Sequence, residues 1–193
     1  MGKNPLHAED FCPFTPPVEL YPWAVLVGEP REKPAMIDIY RQTLADAAND
    51  LQTAKTRVPG TDGQPVVSDK PYEALAEMLR NDMLFPAGEL EKLASQHRFV
   101  HTFLSELGER RLCGAEFLRM AAAHLSTGTL LATAELFQHI ATDAFNLQHI
   151  WGAPEECEKI VDPEVRARIA KQLQQIAGQE RQAVDLLSDM NEN

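Results

Sequence analysis

An all-α fold is predicted for this chain: one bundle of about five to seven helices carrying an extended, proline-rich N-terminal arm. Three observations predict it. Apolar residues recur at spacings of three and four through most of residues 35–193. Segments of alternating apolar and polar residues are scarce, and seven of the thirteen prolines fall in residues 1–34. The chain therefore divides into an arm, 1–34, and a helical domain, 35–193. With 193 residues and 44% apolar content, one core of ordinary size can form without disulfides or metals to staple it.

The arm combines its prolines with Phe11, Phe14, Tyr21 and Trp23, which block helix yet supply apolar surface. It is expected to pack against its own domain or against another chain, with Phe14 and Trp23 as the anchoring rings. Trp23 to Val27 could form a short strand, but its only mate would be residues 65–67, so a sheet of any size is not expected.

The first helix is predicted from Ala35 to about Arg57, with Ile37, Tyr40, Leu44, Ala47, Leu51 and Ala54 as its stripe. Two glycines and two prolines in residues 59–65 end it in a loop. Ser68 or Asp69 should cap a short helix with Pro71 in its first turn, turning Leu75, Met78, Leu79 and Met83 inward. Another helix is expected from Ala87 to Leu107, where Leu90, Leu93, His97, Val100, Leu104 and Leu107 alternate threes and fours. Gly108 and the charged residues 109–111 should close it, with a further helix from Ala115 to Leu125.

Thr129 to Trp151 should be the central helix. Leu130, Ala134, Phe137, Ile140, Ala141, Ala144, Phe145, Leu147 and Trp151 share one arc at ~100° per residue, opposite Glu135, Gln138, His139, Thr142, Asp143, Asn146 and His149. That polar face has no lysine or arginine. Gly152-Ala153-Pro154 stops the helix, and Asp162-Pro163-Glu164 reads as the cap and first turn of a last helix running to about Asp189.

The formal net charge of −11 argues against binding nucleic acid or an anionic membrane surface, both of which need clustered Lys and Arg. Cys12, Cys113 and Cys157 are odd in number and never spaced as CxxC, so the cytoplasm is the expected compartment. No signal-peptide pattern opens the chain, and no run approaches the ~20 apolar residues of a membrane span. Elbow-type GxSxG and lysine-bearing phosphate loops are missing too.

Three functional readings follow. The first is a non-catalytic interaction, accessory or assembly protein of chaperone type, with Gln138, Thr142, Asn146, His149, Phe14 and Trp23 contacting another chain or a second copy. Its support is that interfaces are depleted in Lys and Glu and enriched in aromatic residues. The second is a metal-binding bundle or metal-dependent enzyme, in which His97 and His101 on one helix and Glu135 and His139 on another surround zinc, iron or manganese. The pattern has no ExxH and no HExxH. Against the metal stands a plain core role for His97, hydrogen-bonded to a carbonyl or hydroxyl. His124, with Met120 one turn earlier, is a remoter haem candidate, and Cys113 beside Arg110 and Arg111 a candidate reactive thiol. The third reading is a carrier or sensor of an apolar ligand, which would need a large internal cavity.

Overall fold

The computed structural model describes residues 35–53, 56–60, 65–68 and 70–189. The arm, including Phe14, Trp23 and the strand expected at 23–27, lies outside the described residues, as do Asp69 and Met190. The rest is an all-α bundle: α1 (Met36–Thr53), α2 (Pro71–Arg80), α3 (Leu90–Leu125), α4 (Gly128–Trp151) and α5 (Pro163–Asp189), with 3₁₀ turns at Asp82–Leu84 and Pro154–Val161. No helix among the described residues is long and apolar enough to cross a membrane.

Several boundaries differ from expectation, each for a physical reason. Helix α1 is described to Thr53, and Thr56–Pro59 (β1) pairs antiparallel with Pro65–Ser68 (β2), Thr56 opposite Ser68 and Pro59 opposite Pro65. Val66 and Val67 thus join Val58 and Arg57 in a hairpin. The β-branched residues at 56 and 58 favour strand. Ser68 lies in β2, and the residue at the cap position of α2 is Lys70. Leu75, Met78 and Leu79 turn inward as expected, but Met83 faces solvent, because α2 stops at Arg80 and the 3₁₀ turn rotates it outward.

The largest correction is α3, one helix of 36 residues that runs through both Gly108 and Gly114. These glycines serve contact rather than termination. A Cβ at Gly108 would stand 2.6 Å from the Phe145 ring, and one at Gly114 would stand 2.8 Å from the Phe137 ring. Two α4 aromatics therefore lie across bare α3 backbone, and their burial offsets the ~0.5–1 kcal/mol that each helical glycine costs.

Ser126, in the left-handed conformation at φ 53°, and Thr127 make a two-residue connection that folds α4 back along α3. Helix α4 lies between α3 and α5, and α2 packs on α5. Leu130, Ile140, Ala144, Leu147 and Trp151 are fully buried, so the apolar arc read from the sequence is the core face except at its edge, where Phe145 is exposed. Gly152, at φ +88°, ends α4 where Glu156 folds back so closely that a Cβ would stand 2.7 Å from its carboxylate. Asp162 caps α5 as expected, accepting from the Glu164 N–H at 2.8 Å.

Candidate functional site

Residues singled out for chemistry separate into three places. His97 is a core residue clasped to Trp151: the indole Nε1 donates to the His97 carbonyl at 2.9 Å, and His97 Nε2 donates to the Trp151 carbonyl at 3.3 Å. The rings stack with centroids 5.5 Å apart. This bond assigns the proton to Nε2, which leaves Nδ1 an acceptor, buried without a hydrogen-bond partner. Burial lowers the pKa of His97, the Trp151 carbonyl opposing only in part.

His101, one turn along, stacks on His97 at 6.0 Å and accepts at Nε2 from the Gln148 amide at 3.2 Å. It opens onto a surface cleft of about 500 Å³ lined also by Phe145, His149, Gly152, Ala153 and Glu156. At its rim, the Lys159 ammonium and the Ala153 N–H hold the Glu156 carboxyl below the usual carboxylate range.

Glu135 and His139 belong to a different region of the surface. They lie nine to thirteen residues before Gln148, about 13–20 Å along α4, and both side chains are exposed. The expected ligand set His97, His101, Glu135 and His139 is therefore not brought together, because α3 and α4 meet through apolar faces that bury His97 and turn Glu135 outward. Among the described residues, no three His, Cys, Asp or Glu side chains form a group able to hold a metal ion. His124 stacks on Tyr40, centroids 5.1 Å apart, while Met120 faces solvent. Cys113 is exposed on α3.

A second cleft, about 440 Å³, lies among the end of α1, the start of α2, α3 and α5. Its floor is a charged network that sequence reasoning missed. Arg111 grips Glu180 with two bonds, Nε to Oε1 at 2.5 Å and Nη2 to Oε2 at 3.1 Å, and Tyr72 donates to the same carboxylate at 3.0 Å. Burial disfavours the Arg111 cation, but Glu180 outweighs it and raises its pKa; burial and then the Glu180 charge push the Tyr72 phenol up. Arg166 was also missed. It is buried at the foot of α5, donating to the carbonyls of Leu79 (2.9 Å), Ile160 (2.6 Å) and Val161 (2.8 Å), pairing with Asp82 and lying over the Phe85 ring at 4.6 Å. A signal existed: Arg166 and Glu180 occupy positions in phase with Ile169, Leu173, Ile176, Ala183 and Leu187, where a solvated charge does not belong. Both clusters are satisfied internally, which makes them structural ties.

The third place is the outward face of α4. Leu131, Glu135, Gln138, Thr142, Phe145 and His149 follow one another by four, three, four, three and four residues and lie within about 80° of arc. Leu131 is 49% exposed and Phe145 36%. Asn146 and His139 flank the line, both exposed. The Thr142 hydroxyl donates to the Gln138 carbonyl at 2.9 Å, and the Gln138 side chain accepts a long bond from Arg119 at 3.5 Å. This spacing suits a helix that packs on another helix; Phe145 already lies across Gly108 of α3 and Gln138 meets Arg119, while Leu131, Glu135, Thr142 and His149 stay exposed. At its C-terminal end the line runs into the 500 Å³ cleft, which shares Phe145 and His149 with it.

The chain matches no protein-family model, no curated protein and no solved structure. Function rests on its own geometry.

Proposed function

We propose that this chain is a non-catalytic interaction or accessory protein that docks another helix along the outward face of α4. One observation carries it: a solvent-facing line with coiled-coil spacing, bearing Leu131 and Phe145, in a 24-residue helix whose only charges are Glu135 and Asp143. A freely solvated helix face in a chain that is 24% charged would be expected to carry lysines and more carboxylates. The mixture of apolar ends with polar Glu135, Gln138 and Thr142 suits a register-specific contact, since polar groups at seam positions penalise misaligned partners. The cysteine spacing fits work in the reducing cytoplasm.

A photo-crosslinking residue at Thr142, compared with one at the exposed Arg168 on α5, tests this in the producing cell. An adduct of defined mass is expected from position 142 and none from 168. Equal or absent labelling at both positions contradicts the proposal.

A further inference from the structure

We propose that the second cleft, among α1, α2, α3 and α5, binds a small organic cation, with an ammonium group at Asp185 and an apolar body filling the space beneath it. The inference stands apart from the docking face, since no residue of α4 lines this cleft. At about 440 Å³ it has the size of a small-molecule site. Three helices give it apolar walls: Leu51 at the end of α1, Pro71 and the Tyr72 ring at the start of α2, and Ala177 and Val184 on α5. Ala177 and Val184 are seven residues apart, two turns on one face, so the wall is continuous along α5. An apolar body placed there leaves water for a surface already built.

The sign of the ligand follows from which charges are already taken. Six charged side chains border the cleft: Lys70, Glu73, Arg111, Glu180, Arg181 and Asp185. Arg111 grips Glu180 with two bonds, Arg181 pairs with Glu73 at 3.1 Å, and Lys70 is engaged as well. Asp185 is exposed and makes no hydrogen bond or ion pair among the described residues. The charge left for a ligand is therefore a carboxylate, and the net charge of −11 draws cations toward the same chain. The floor, a neutral pair already satisfied by its own members and by Tyr72, gives an incoming charge no reason to descend. The apolar body lies below and the ammonium stays at the rim.

Three probes sharing one apolar body test this: cyclohexylmethylamine, cyclohexylmethanol and cyclohexanecarboxylate, each titrated into the full chain at neutral pH while the methyl signals of Leu51 and Val184 are followed by NMR. The amine should shift both sets saturably, at millimolar concentration or below. It should bind about two- to fivefold more tightly than the alcohol, the scale of one exposed ion pair, and the carboxylate should bind more weakly than either. Asp185→Asn should bring the amine down to the alcohol and leave the alcohol unchanged. Glu158→Gln, at an exposed carboxylate outside the cleft, should change neither. Val184→Trp fills the cleft and should remove binding of both. No saturable shift with the amine, a carboxylate that binds as well as the amine, or an amine indifferent to Asp185→Asn or to Val184→Trp overturns the proposal.

Discussion

At His97 the fold disfavours the imidazolium, because burial outweighs what the Trp151 and Gly152 backbone and the Glu155 charge return to the protonated ring. Its pKa is lower folded than unfolded, so the unfolded chain binds the extra proton. Stability is therefore expected to fall as pH drops below about 6.5, toward the folded pKa, and to be unaffected by this group above that. Urea midpoints at pH 8 and pH 5 check it. The fall should be smaller in His97→Gln than in the parent, and parallel curves would contradict it. The Arg111–Glu180 pair gives a second test. Glu180→Ala strands a buried guanidinium and should cost about 3–5 kcal/mol, while Arg111→Met with Glu180→Leu should recover most of the loss. At this scale the sequence was partly legible. His97 in an apolar line announced a core histidine, but nothing local revealed that Arg166 and Glu180, written as charges on a helix, find partners 84 and 69 residues away.

Among the elements, glycine carries the lesson of α3. Residues 108–114 look like a break if Gly108 is a terminator, but the same glycine is a notch when a ring from α4 lies across it, and only the long-range partner decides. Gly108→Ala should therefore destabilise by about 1–3 kcal/mol, overpacking against Phe145 outweighing the better helix propensity. Gly178, inside α5 with nothing near its missing Cβ, gives the contrast: Gly178→Ala should stabilise by roughly 0.5–1 kcal/mol. Thermal or urea unfolding of the two variants should move in opposite directions. Movement in the same direction would contradict the notch. The α4 and α5 ends were legible because Gly152 and Asp162 act locally, through a positive φ and a side-chain cap. The hairpin at 56–68 was misread because its strands are four residues each, too short to show a period against the helix before them.

For the whole molecule, the buried arc of α4 and its lysine-free opposite face could both be read from the sequence, since both are properties of one helix. What could not be read is that the expected metal set straddles two regions, His97 in the core and Glu135 in solvent, because that depends on how α3 and α4 rotate against each other. The exposed line, with its 4-3 spacing, is what remains on that face and is the basis for the proposal that this chain docks another helix. Scanning a photo-crosslinking residue along α4 tests this most directly. Adducts are predicted at 131, 135, 138, 142, 145 and 149, with silence at Ala132, Leu136 and Asp143. Labelling without that periodicity, or none along the helix, would contradict a docked seam.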